Sequence, residues 1–242
     1  MTAVVETPVA PVARLAALPG VSTASRAQAR TPGRVLPVSP ALADLLPATG
    51  LRRGSTVAVH GSTSLLLALL AGATAAGSWA AVVGVPSLGL AAADELGVDL
   101  SRLALVPRPG TEFAAVVAAL LDGVDLVVAN GNAVPPAVAR RLSTRARHRG
   151  AVLLSLGPWP GAEVELSSSR DRWQGLAGGH GSLQARRMSV RAWGRGAAAR
   201  PASAELLLPG PGGDVVRTDT AAAVPAAVSS GVSSGMCEEA TG

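Results

Sequence analysis

The stretch Leu51-Arg52-Arg53-Gly54-Ser55-Thr56-Val57-Ala58-Val59-His60-Gly61 reads as a turn, a buried strand and a glycine, where a phosphate-binding loop would begin. Such a loop spells G-x-x-x-x-G-K-[ST], with backbone amides and a lysine around the phosphates. Here Ser62, Thr63 and Ser64 run straight into Leu65-Leu66-Leu67-Ala68-Leu69-Leu70. The chain has no lysine, and no arginine falls between Arg53 and Arg102. Phosphoryl transfer depends on positioning and on cations that neutralise phosphate charge. Gly61, Ser62 and Thr63 therefore read as a vestigial loop, either a tight turn or helix-opening amides able to hold an anion. His60 has no Asp or Cys close in sequence and reads as a packed or capping side chain rather than a base or ligand. With no G-x-S-x-G elbow and no acid in the loop, His60, Ser62 and Ser64 do not compose a hydrolase site.

The cationic chemistry lies elsewhere. The segment Pro136–Arg149 holds Arg140, Arg141, Arg145, Arg147, His148 and Arg149 and no acid. Arg141, Arg145 and Arg149 are four apart and share a helical face, with Ala137, Val138 and Leu142 free to pack inward. A row of guanidiniums can sit along phosphates and give salt-dependent, sequence-neutral affinity for DNA. A solvated outer face, written in Arg because the chain uses no Lys, explains the same pattern. Phe113 and four Trp are the only aromatics, too few for a dedicated single-strand reader. Trp159, in Gly157-Pro158-Trp159-Pro160-Gly161, and Trp173 and Trp193 near later turns are candidate partner contacts. Packing over a core edge is the alternative for Trp159. Arg186, Arg187 and Arg191 suit an acidic partner surface or DNA, or the charge protection of a sheet edge.

The elements that must position these residues follow from pattern. Expected strands at Thr56–His60, Trp79–Gly84, Leu103–Val106, Leu126–Ala129 and Ala151–Leu156 alternate with helices at Ser64–Ala76, Gly89–Leu96, Glu112–Leu121 and Pro136–Arg149. Ser39 caps a short helix from Pro40 to Leu46. Strands apolar almost throughout, each followed by a helix, predict a mostly parallel sheet flanked by helices. Beyond Gly157, Val164–Ser168, Ser182–Arg191 and Glu205–Leu208 predict C-terminal antiparallel strands. The domain reading is a flexible arm over 1–34, a core over 35–211 and a disordered tail over 212–242 that includes Cys237, Glu238 and Glu239.

The whole chain of 242 residues carries 21 Arg, a formal net charge of +5 and one cysteine. Disulfide frameworks and cysteine-based metal sites are excluded, and neither a metal nor a cofactor is expected. From Gly61 to Ala93 no residue is charged, yet Gly77-Ser78 and Gly84-Val85-Pro86 break the run short of a membrane span. No signal peptide is evident, and a cytoplasmic location is expected.

From Val35 to about Gly212 the chain resembles the RecA-type recombinase core. The residues that carry the likeness are Ser39-Pro40-Ala41-Leu42-Ala43-Asp44-Leu45-Leu46 with Gly50–Gly54, then Leu96–Leu103, then Gly123-Val124-Asp125-Leu126-Val127-Val128-Ala129-Asn130. The resemblance implies a RecA-like fold and stacking of domains as a route to self-association. Where the family places a magnesium-positioning aspartate, this chain has Asn130, and Val83-Gly84-Val85-Pro86 lacks the family's water-activating glutamate. The connections after Asn130 and Leu156 are too short for the family's two DNA-binding loops, so strand exchange is not expected.

With Gly178–Arg187, Gly194–Pro201 and Glu205–Pro211, the chain is further similar to the ImuA-type accessory proteins of inducible mutagenesis, in their actinobacterial branch. That resemblance implies a non-catalytic adaptor in SOS-induced, error-prone translesion synthesis. Its partners would be a Y-family-like polymerase subunit of the ImuB type and an error-prone DnaE-type polymerase. Rival expectations are a SulA-like division inhibitor binding a tubulin-like protein, and a RecA-like protein with residual nucleotide or DNA binding.

Overall fold

The computed structural model describes residues 33–132, 134–177 and 180–218. The expected arm up to 32 and the tail from 219 lie outside the described residues. A nine-stranded sheet forms the frame, in the order β11-β10-β9-β8-β3-β7-β6-β4-β5. Its parallel part contains β3 (Thr56–His60), β4 (Ala80–Val83), β5 (Leu103–Val106), β6 (Leu126–Asn130) and β7 (Val152–Leu156). The strand β8 (Val164–Ala177) pairs parallel to β3 and antiparallel to β9 (His180–Gly194). Antiparallel pairing continues through β10 (Ala202–Leu207) to β11 (Val216–Arg217). A separate two-stranded ribbon joins β1 (Val35–Leu36) to β2 (Leu51–Arg52).

Successive side chains on a strand face opposite ways, and the parallel strands are apolar on both sides because both are covered. Leu126 and Val128 of β6 join one core cluster with Val57, Val59, Val82 and Leu154, while Val127 and Ala129 join the other with Ala58, Val83 and Leu153. On the first face lie α1 (Pro40–Ala43), α2 (Thr63–Ala75) and the short α3 (Leu90–Glu95). The second face is covered by α4 (Phe113–Leu121) and α5 (Pro136–Arg149). In α2, Leu65, Leu66, Leu67, Leu69 and Leu70 are all buried, each worth about 2 kcal/mol in removed apolar surface. Charge is absent from α2 because this helix has no wet side. Among the described residues no helix is long and apolar enough to cross a membrane.

The late strands behave differently. Leu166, Met188, Val190, Ala192, Ala204 and Leu206 pack on the first core, but among the described residues none of β8–β11 joins the second cluster. Among the described residues no helix covers one face of these strands, and Glu165, Ser167, Arg191, Trp193 and Glu205 lie on it, half-buried or exposed.

Three expectations need correction. The late hairpin is far longer than Val164–Ser168 and Ser182–Arg191, because Ser167-Ser168-Ser169 sits on a half-solvated ribbon where no apolar alternation marks a strand. Arg187 and Arg191 do not guard a sheet edge: β9 is internal, with Arg187 opposite Leu207 and Arg191 opposite Ser203 of β10. The sheet also runs past the expected boundary at Pro211, since Leu206 and Leu207 pair with Arg217 and Val216.

Candidate functional site

The parallel strands end together at His60, Val83, Val106, Asn130 and Leu156. Open α/β sheets bind ligands beyond such carboxyl ends, so this end is the first candidate. The turn from β3 to α2 consists of Gly61 and Ser62 alone. Gly61 takes φ +75°, a left-handed conformation that glycine adopts without steric cost. Ser62 is buried, and its Oγ accepts the Leu65 N–H at 3.1 Å, while its carbonyl accepts the Leu66 N–H at 3.2 Å. The helix therefore caps itself with its own serine, and Thr63 is its first residue. A phosphate would have to displace that cap in a two-residue turn.

Asn130 is equally committed. Its Nδ2 donates to the Gly84 carbonyl at 3.0 Å and its Oδ1 accepts the Asn132 N–H at 3.0 Å. The amide thus ties the ends of β4 and β6 together and shapes the loop after β6. Gly131 follows because a Cβ there would lie 2.2 Å from Ser155 Oγ and 2.5 Å from the Pro158 carbonyl. Beside this lock is a cleft of about 630 Å³ lined by Gly84, Pro86, Pro107, Pro109, Phe113 and Asn132, among others. Its walls hold no ionisable side chain. Among the described residues no group of three or more His, Cys, Asp or Glu could hold a metal.

At the other edge of this end, His60 Nε2 lies 3.0 Å from Glu165 Oε2, and its ring stacks on Trp193 with centroids 5.9 Å apart. The packed reading of His60 thus gains two partners not visible from local sequence. Glu165 lies opposite both Ala58 of β3 and Trp193 of β9, so three strands bring the group together.

On α5, Ala139, Leu142 and Ala146 are the buried residues; Val138 is half-buried and Ala137, expected inward, is exposed. All the expected arginines are exposed, but not all are unengaged. Arg145 Nε donates to Asp122 Oδ1 at 2.8 Å, and Arg149 Nε donates to the same oxygen at 3.0 Å. The Asp122 hydrogen bond pushes the Arg145 guanidinium further above its already high pKa. Arg147 Nη2 donates to Glu163 Oε1 at 3.2 Å. Arg140 and Arg141 have no acidic partner among the described residues. The cationic row is therefore narrower than its sequence suggests.

The tryptophans divide. Trp159 is only 3% exposed, packs in the second core cluster, and donates from Nε1 to Ser143 Oγ at 3.0 Å. It is a lid over α5, which corrects its place among surface contacts. Trp173 stays exposed and lies under the Arg186 guanidinium at 5.6 Å, as expected for cross-strand partners in register. Trp193 is half-buried on His60.

The class these features define is an α/β protein with a mostly parallel sheet, an antiparallel extension, and a strand-end turn closed by its own side chains. Its segment 44–161, which contains the parallel strands, matches the family model described as MT3502 N-terminal domain. The chain is also 47% identical over 130 residues to the uncharacterized protein Rv3395c of Mycobacterium tuberculosis (strain ATCC 25618 / H37Rv). That alignment covers 52% of this chain and 64% of the relative, so the match spans less than two thirds of the relative's length. Neither description states an activity.

Proposed function

We propose that this protein is a non-catalytic, RecA-like adaptor of the ImuA type, which holds a Y-family-like polymerase subunit and an error-prone DnaE-type polymerase near damaged DNA. The observation that carries the reading is the closure of the strand-end turn. Ser62 occupies the amide that a phosphate would take, and Asn130 spends its amide on backbone where a carboxylate would hold magnesium. What the described fold offers instead is surface: an antiparallel face that no described helix covers and a long hairpin carrying exposed Trp173, Leu176 and Leu183. Exposed aromatic and arginine side chains are the residue types enriched at binding hot spots. The match to an actinobacterial relative agrees with the branch whose proteins this chain resembles.

Recruitment makes or breaks no bond, so the test is physical association. Tagged protein purified from DNA-damaged actinobacterial cells is expected to bring down both polymerase components. Recovery of a tubulin-like division protein in their place would replace this reading with the division-inhibitor one. Recovery of neither would remove the adaptor reading.

A further inference from the structure

Opposite the strand-end turn, near the start of β3, lies a second cleft of about 680 Å³. Five parts of the chain build it: the Leu46–Arg52 segment, Ser55 and Val57 at the start of β3, the last turn of α5, the entry to β8, and the turn after β9. Its charged side chains are Arg52, Arg147, Arg195 and Glu163, three cations against one anion. Glu163 is the placeholder among them. Its Oε2 takes Arg52 Nη2, and its Oε1 takes Arg147 Nη2 at 3.2 Å. The Arg52 and Arg147 side chains are 59% and 65% exposed, against 22% for Glu163. The carboxylate thus sits low in the cleft with the two guanidiniums above it. Arg195 donates to the carbonyls of Gly161 and Ala162. Each guanidinium has five N–H donors, and one carboxylate leaves most of those on Arg52 and Arg147 uncommitted.

The remaining wall is aliphatic, with Leu46, Leu51, Val57, Val164, Ala197 and Ala198. Guanidiniums beside an aliphatic floor match a carboxylate next to a branched apolar side chain. A nucleic-acid strand fits less well, because no aromatic lines the cleft to stack a base. We propose that this cleft is a docking site for an acidic, leucine-rich peptide segment of a partner protein, whose carboxylates join or replace Glu163 between Arg52 and Arg147. The inference goes beyond the adaptor reading: it fixes ligand chemistry without reference to a polymerase.

The test uses the full chain and an array of short fluorescein-labelled peptides in which leucine is interspersed with aspartate and glutamate, read by fluorescence anisotropy. Acidic peptides are expected to bind, and the same peptides with lysine in place of the acids are not. Arg52→Ala and Arg147→Ala are each expected to weaken binding by about tenfold, the scale of one lost charge-assisted hydrogen bond. Glu163→Gln removes the internal competitor and is expected to tighten binding several-fold, which a purely structural glutamate would not do. Arg108→Ala, exposed in the turn after β5 and outside the cleft lining, reports non-specific charge and is expected to leave binding unchanged. Unchanged or weaker binding by Glu163→Gln that retains the wild-type circular dichroism spectrum would overturn the proposal. Should Glu163→Gln not fold, insensitivity to Arg52→Ala and Arg147→Ala would overturn it instead. Failure of every acidic peptide to bind would do the same, as would an oligothymidine that binds more tightly than any peptide and loses affinity in the same two arginine variants.

Discussion

Arg53 and Asp125 are 72 positions apart in the chain, yet Arg53 Nη2 donates to Asp125 Oδ1 at 2.7 Å. The other carboxylate oxygen accepts the Trp79 N–H at 2.9 Å, and Arg53 Nη1 reaches the Gly150 carbonyl at 3.3 Å. One ion pair thus fastens the turn before β3, the entries to β4 and β6, and the end of α5. Both side chains are largely buried, at 20% and 11% exposure. Removing one partner of such a pair leaves the other charge desolvated, which costs more than the pair itself contributes. Asp125→Ala is expected to lose about 3 kcal/mol of stability, measured by urea unfolding. A change below about 1 kcal/mol, the range of exposed pairs, would show that the fastening is superficial.

The α5 arginines separate into two kinds. Arg145→Ala and Arg149→Ala free Asp122 and are expected to cost less than about 1 kcal/mol each. Any salt-dependent affinity for DNA is expected to fall with Arg140→Ala and Arg141→Ala instead. Fluorescence anisotropy on a duplex at two salt concentrations distinguishes the sets; equal losses in both would mean that DNA pulls Arg145 and Arg149 from Asp122.

Trp159 and Trp173 are expected to respond in opposite ways. Trp159→Ala empties a buried site and breaks the bond to Ser143, for an expected loss of about 3–5 kcal/mol. Trp173→Ala removes a ring from an exposed hairpin, with a stability change within about 1 kcal/mol, and is expected to lower partner recovery. Thermal denaturation and copurification read the two effects apart.

Asp99 carries the clearest acid-side titration. The Ser101 hydroxyl beside it, with smaller contributions from the Ser101 amide and Arg102, holds its carboxyl below the ordinary value against opposing desolvation. A carboxylate whose folded pKa is depressed contributes stability above its unfolded pKa and loses it as pH falls through the folded one. NMR titration is therefore expected to place Asp99 below a free aspartate, and Ser101→Ala to move it upward. An unmoved titration would assign the shift to the Ser101 amide and Arg102.

Legibility followed the number of covered faces. Strands buried on both sides announce themselves as apolar runs, and the parallel half from Thr56 to Leu156 could be placed almost element by element. The hairpin could not, because Ser167-Ser168-Ser169 lies where one face is wet, and the bulges after Ser169 and Gln174 break the alternation further. At the candidate site, the missing lysine and Asn130 were readable as residue types. The acids that neutralise the arginine row were not: Asp122 lies 23 positions before Arg145 and Glu163 lies 16 after Arg147. The His60–Glu165 contact escaped for the same reason, spanning 105 positions. In sequence Trp159 supports two readings, and the bond from its indole N–H to Ser143, which lies 16 positions earlier, selects the buried one.

On the proposed adaptor reading, Ser62 and Asn130 close the strand-end turn to nucleotides and the protein works by contact. Isothermal titration of the full chain with magnesium-ATP up to millimolar concentration tests this most directly. No saturable heat is expected in wild type, and none in Ser62→Ala, which is expected to lose about 1 kcal/mol of helix capping and still lacks a lysine or arginine in the turn to neutralise the phosphates. Saturable micromolar binding that Asn130→Ala abolishes would contradict it.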